Sequence, residues 1–226
     1  MAPRNRQTTM LLPMRVWDLP TRLFHWLLVL LLPASYVSMK LNLMDLHMAL
    51  GHAMLALLLF RWVWGFVGSD TARFGHFLGN PAEALRRLLR PRLPEPDTRI
   101  GHNPAGGWMV LLMLLLLSVQ VAAGLCANDG GASEGPLAKY VGQTWSDRLS
   151  LVHAMNFKLI LAAVALHLVA IFIYTFAKRQ NLVRPMVTGK KRLPAAMRAP
   201  RMASPLLALA IAAVAATVSA VVATRL

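Results

Sequence analysis

Apolar residues gather in five long runs separated by shorter polar stretches, and the run lengths set the first expectation. Residues 23–39, 46–68, 106–127, 149–177 and 205–224 are each near or above the ~20 residues an α-helix needs to cross a bilayer. Each reads as a transmembrane helix. The first run is the shortest and contains Pro33, so a kink is expected there. Residues 69–105 include NPAEALRRLLRPRLPEP, in which Leu85, Leu88 and Leu89 suggest a short amphipathic piece on the membrane surface. Pro91, Pro94 and Pro96 would break it. The glycine-rich stretch NDGGASEGPLAKYVGQTWSDR is the largest extramembrane feature on the opposite side. There is no internal repeat, and no soluble domain large enough for a separate active site.

Composition agrees with this pattern: 57% of residues are hydrophobic and the mean hydropathy is +0.52. That is too apolar for an ordinary soluble domain. The first 22 residues are basic and lack an apolar core, and no small-residue cleavage site follows the first run. The first helix is therefore expected to stay as a span. The formal net charge is +15, but its distribution does not fit nucleic acid. Lys and Arg number 4 in residues 1–22, 1 in 40–45, 6 in 69–105, 2 in 128–148 and 8 in 178–204. This alternation is the positive-inside pattern. It places the N-terminus, 69–105 and 178–204 in the cytoplasm and, with five spans, the C-terminus on the far side. The basic charge is read as topology and lipid contact.

Ionisable residues inside spans are costly and point to function. Of the seven histidines, His25, His47, His52, His153 and His167 fall within the apolar runs. His153 and His167 lie fourteen residues apart in one run, which returns the second side chain to within about 40° of the first and about 21 Å further along the helix. No single metal ion reaches both. One helix face thus offers two nitrogen ligands at two depths, the geometry that two stacked cofactors require, and haem is the cofactor most often held so. With the N-terminus inside, His153 is outer and His167 inner. His25 matches His167 in depth, and either His47 or His52 matches His153. Cys126 is the sole cysteine and no C-x-x-C-H occurs, so haem would not be attached in the c-type manner.

At this point the chain resembles a known family. RVWDLPTRLFHW, HMALG followed by FRWVWGFVGS, GHNPAGGW, the helix with two histidines fourteen apart, and LVRPMVTGKK are similar to segments of the bacterial cytochrome b561 and Ni/Fe-hydrogenase b-type cytochrome family. The resemblance runs from about Arg15 to Lys191. It implies an all-α membrane protein with a four-helix bundle, two noncovalent b haems with bis-histidine ligation, and electron transfer between a periplasmic partner and quinone. The partner would be a hydrogenase, a dehydrogenase or a c-type cytochrome. The fifth run lies outside the family pattern. In that family the ligand of the second helix is followed four residues later by Gly and fourteen later by Arg. His47, Gly51 and Arg61 match, and Gly51 would leave room for a flat macrocycle. His52, rotated by about 140°, is the alternative ligand, or a polar residue packed against another helix.

The expected organisation is a cytoplasmic segment 1–22, a dihaem domain 23–177, a basic linker 178–204 and an additional span 205–226. His25 and His167 would bind the inner iron, and His47 and His153 the outer iron. Arg22 and Arg61 would either pair with a propionate of the inner haem or snorkel to the headgroups. His102 and Asn103 would line a quinone pocket, or His102 would cap the third helix. Lys158 points away from both fourth-helix histidines and is expected to snorkel, His76 has no assigned role, and the thirteen methionines fill core gaps. Beside the electron carrier stand two other readings: a stand-alone superoxide:quinone oxidoreductase, and a structural anchor or small transporter whose histidines only pack. A transporter would show broken helices in corresponding halves, and the chain has no such symmetry.

Overall fold

A computed structural model describes residues 10–82, 84, 86, 99–130 and 133–225. The main elements are strand β1 (Leu11–Arg15), helices α1 (Leu19–Lys40), α2 (Met44–Val67), α3 (Pro104–Leu125) and α4 (Gln143–Phe176), strand β2 (Lys190–Pro194) and helix α5 (Pro205–Arg225). Five helices among the described residues are long and apolar enough to cross a membrane. The all-α membrane fold expected from the five apolar runs is the fold observed.

Helix boundaries differ from the apolar runs where polar residues begin a helix. α1 starts four residues before its run, at Leu19, because the Asp18 carboxylate accepts from Thr21 N at 2.7 Å and Pro20 sits in the first turn. Its first turn holds Thr21 and Arg22, which hydropathy alone scores as loop. The helix continues through Pro33 as one element. α3 is capped in the same way, with Asn103 Oδ1 accepting from Gly106 N at 2.7 Å ahead of Pro104. The capping residue is thus Asn103, not His102. α4 runs for 34 residues, about 51 Å at 1.5 Å per residue, well beyond a ~30 Å hydrocarbon core. Its first turn lies outside the apolar run and is tied to the loop by Ser146 Oγ, which donates to Cys126 O at 2.7 Å. Leu85, Leu88, Leu89, Pro91, Pro94 and Pro96, the expected surface piece, lie outside the described residues.

α1 packs on α2, α2 on α3, and α3 on α4, while α4 faces α1 and α2 mainly through side chains. The core between them is built from Met54, Leu58, Phe60, Trp64, Leu114, Leu117, Val121 and Ile160. α5 lies along α2 through small residues, Ala208 and Ala215 being buried, and Ser219 Oγ donates to His52 O at 2.7 Å. Small side chains let two membrane helices approach closely.

The sequence gives no local signal for the sheet. β1 and β2 pair antiparallel, with Leu11 opposite Pro194 and Arg15 opposite Lys190. Val16, Trp17 and Leu193 form a small buried cluster beside it. Asp70 and Arg201 exchange backbone and side-chain hydrogen bonds, and Ala203 N donates to Ser69 Oγ at 2.9 Å. The described parts of the three Lys/Arg-rich segments therefore meet at one end of the bundle, called the basic end below.

Candidate functional site

Four histidines face one another in two pairs. At the basic end, His25 of α1 and His167 of α4 have ring centroids 6.5 Å apart. At the far end, His47 of α2 and His153 of α4 are 6.1 Å apart. Each pair bridges the space between α4 and its facing helix. A metal–imidazole bond is about 2.0 Å, and each ring nitrogen lies about 1.1 Å from its ring centre. One metal held between two imidazoles therefore needs centroids about 6.2 Å apart. Both pairs stand at that separation.

The hydrogen bonds fit the same chemistry at the far end. His47 Nδ1 lies 2.9 Å from Ser35 O, and His153 Nδ1 lies 2.9 Å from Gln120 O. A carbonyl can only accept, so each Nδ1 carries the proton and each Nε2 keeps its lone pair for a metal. At the basic end His25 Nδ1 is enclosed without a partner among the described residues. Glycine contributes where α3 meets the far pair: a Cβ on Gly124 would lie 2.8 Å from His153 Cε1. A Cβ on Gly51 would meet nothing within 4 Å, so open space adjoins α2 one turn from His47. The residues present fit a haem at each pair in donor type and spacing, and at the far pair in protonation as well.

His52 stands elsewhere. Its backbone carbonyl accepts from Ser219 Oγ of α5, and its Nδ1 has no partner among the described residues. It lies at the seam between α2 and α5, and the ring paired with His153 belongs to His47.

Arg61 is 2% exposed, so it does not snorkel. That half of its expectation is corrected, because the chain closes over it: Phe24 and Phe74 cover the guanidinium, with centroids at 5.9 and 5.1 Å. Its Nη1 has no acceptor among the described residues. Asp18 is close enough to interact electrostatically, but its oxygens receive Thr21 N and Trp64 Nε1. Arg22 is half-buried and donates from Nη1 to Val187 O at 2.8 Å, and its Nε has no partner among the described residues.

His102 is wedged between Trp17 and Phe77, with centroids at 4.6 and 4.8 Å. Its pKa is lowered to about 3, first by desolvation and then by Arg61, His167 and His25. It is a neutral imidazole at physiological pH, and it borders a cavity of about 250 Å³ together with Asp70, Thr71 and His76. Asn103 Oδ1 is engaged in the α3 cap. Lys158 is exposed, as expected.

Sequence reasoning missed the residues that hold the histidines. Ser35, Gln120 and Asn156 are uncharged polar residues in apolar runs. Asn156 Nδ2 donates to Gln120 Oε1 at 2.8 Å and to Leu116 O at 2.9 Å. For the Gln120–Asn156 pair, amide side chains in lipid-embedded helices were the available signal; the carbonyl acceptors left none.

The family model described as prokaryotic cytochrome b561 matches residues 16–189. No curated protein and no solved structure matches the chain. With that match over most of its length, on a bundle that carries facing histidine pairs, the chain belongs to the prokaryotic cytochrome b561 family of membrane electron-transfer proteins that bind haem b.

Proposed function

We propose that this protein is a dihaem electron carrier between a periplasmic redox protein (hydrogenase, dehydrogenase or c-type cytochrome) and membrane quinone. In this reading His25 and His167 hold an inner haem, and His47 and His153 an outer one, both noncovalent. The paired geometry carries the reading: facing imidazoles 6.5 and 6.1 Å apart at the two ends of one bundle. A b haem in such a pair supplies a one-electron centre with both axial positions filled, suited to electron transfer rather than oxygen binding.

The chain's own residues do the rest. Ser35 O and Gln120 O hold the Nδ1 protons of His47 and His153, which orients the rings and raises their basicity. The Lys/Arg alternation sets the basic end in the cytoplasm and the C-terminus in the periplasm. Arg61, with Arg22 beside it, supplies positive charge for the inner haem's carboxylates. His102, bordering the cavity, offers a contact for a quinone headgroup, and Asn103 contributes only its amide nitrogen. The superoxide-oxidising alternative needs an electropositive outer funnel to attract the anion. Segments 40–45 and 128–148 together carry a net charge of −1, which favours the carrier.

Single alanine replacements test the assignment. His25→Ala and His167→Ala are expected to lose the same haem, and His47→Ala and His153→Ala the other. His52→Ala is expected to retain both low-spin spectra. A His52→Ala protein that loses a haem while His47→Ala keeps both would overturn the assignment on α2.

A further inference from the structure

The far histidine pair is held by more than its own hydrogen bonds. α3 presents three things to α4 over two successive turns. Gln120 O accepts from His153 Nδ1 at 2.9 Å. Gly124, one turn on, leaves no room for a side chain beside the His153 ring. In the turn before, Leu116 O and Gln120 Oε1 both accept from Asn156 Nδ2, at 2.9 and 2.8 Å. Asn156 follows His153 by three residues on the same helix, so the amide and the imidazole point toward the same neighbour. Gln120 and Asn156 are 8% and 6% exposed, buried uncharged amides in an apolar bundle.

Buried amides cost free energy unless paired, and a pair that only joined two helices would serve anywhere along them. This one clamps the turn that carries the acceptor of a ligand proton. A slide or rotation of α3 against α4 by a fraction of a turn would carry Gln120 O away from His153 Nδ1. Gly124 shows that the His153 ring already lies against the α3 backbone there. Among the described residues no comparable amide pair stands beside His47 or His25. The His47 acceptor, Ser35 O, is shared with Ser38 Oγ at 2.9 Å. His25 Nδ1 has no partner among the described residues.

We infer that Gln120 and Asn156 are positioning residues for His153: their amide pair fixes the register of α3 on α4 and thereby sets the donor strength of that one imidazole. The inference rests on the dihaem reading above. An imidazole that donates from Nδ1 to a carbonyl is a stronger electron donor through Nε2. It stabilises the oxidised iron and holds the outer midpoint potential down. Breaking the clamp lengthens the Nδ1–H···O contact and raises that potential.

The test is redox titration of the full-length, haem-loaded Asn156→Leu protein, followed by visible absorbance and by the EPR of the oxidised state. The outer haem is identified as the one missing from His153→Ala. In Asn156→Leu its reduced-to-oxidised ratio at fixed potential is expected to rise about tenfold, about +59 mV for one electron. Its low-spin EPR signal is expected to shift, with the inner haem unchanged on both measures. Gln120→Met removes the bond to Gln120 Oε1 and keeps the one from Asn156 to Leu116 O, so it is expected to raise the outer potential by less than Asn156→Leu, and it reads the clamp if Asn156→Leu does not assemble. The exchange variant, Gln120→Asn with Asn156→Gln, keeps an amide pair of the same summed length and is expected to restore the wild-type potential. Equal shifts in both haems, or two unmoved potentials, would overturn the positioning role. A wild-type protein with no haem would instead overturn the reading beneath it.

Discussion

Replacing Arg61 by Gln tests what the buried guanidinium is for. Arg61 lies fourteen residues after His47 on α2, so it shares the face of His47 but stands about 21 Å further along the helix, at the level of the basic-end pair. Its side chain is 2% exposed, covered by Phe24 and Phe74, with Nη1 unpartnered and Asp18 engaged elsewhere. Leaving a buried charge unpaired costs several kcal/mol. A carboxylate at 4 Å contributes about 4 kcal/mol of attraction at an effective dielectric near 20, and part of that is lost to desolvation. A net 1–3 kcal/mol is then the expected loss of inner-haem affinity in Arg61→Gln, roughly 5–150-fold. Removing a cation also disfavours adding an electron nearby, so the inner midpoint should fall by about 60 mV for a tenfold change. The assay is haem transfer to an apo-acceptor protein together with redox titration. Reconstitution with the dimethyl ester of the haem, which lacks free carboxylates, should bring the wild type down to the variant's level and leave Arg61→Gln unaffected. Equal affinities for the two haem forms in the wild type, or a shift confined to the outer haem, would refute the pairing.

Three further outcomes follow from the same structure. A C-terminal alkaline phosphatase fusion is expected to be active and a fusion at Gly189 inactive, since the proposed orientation has the basic end inside; activity at Gly189 would reverse that topology. Gly124→Val puts atoms into the His153 ring, where a Cβ alone would stand 2.8 Å from Cε1, so it should lose the outer haem while keeping the inner one, read from the α-band spectrum. His102 has its pKa lowered to about 3, so the unfolded chain binds the extra proton below about pH 6.5 and stability falls as pH drops from there toward 3. The slope is at most about 1.4 kcal/mol per pH unit for one group. His102→Phe should flatten thermal melting between pH 7 and 5, and an unchanged slope would remove His102 as the cause.

The five spans were legible because bilayer length and apolar composition leave few alternatives. The depth of the histidines was legible too, since helical geometry fixes how fourteen residues map onto height and azimuth. Their partners' hydrogen bonds were not. Ser35 and Gln120 accept through backbone carbonyls, which every residue carries, so residue identity says nothing about them. The β1–β2 pairing joins segments nearly the whole chain apart, and neither strand shows a two-residue alternation long enough to mark it. Arg61 was ambiguous for a different reason. An arginine near a helix end reads as snorkelling unless the loop that covers it is known, and here Phe74 comes from the segment after α2. The choice between His47 and His52 turned on family resemblance. In the fold the same distinction appears as two faces of α2, one toward α4 and one toward α5.

The central claim is that one chain holds two haems between two histidine pairs, and haem stoichiometry tests it most directly. Pyridine haemochrome analysis of the purified full-length protein, with polypeptide measured by amino-acid analysis, should give about two b haems per chain, all extractable into acidified acetone. His167→Ala and His153→Ala should each give about one, and the two remaining spectra should differ. A wild-type value near one, or a single alanine variant that loses both haems while remaining folded, would contradict the account.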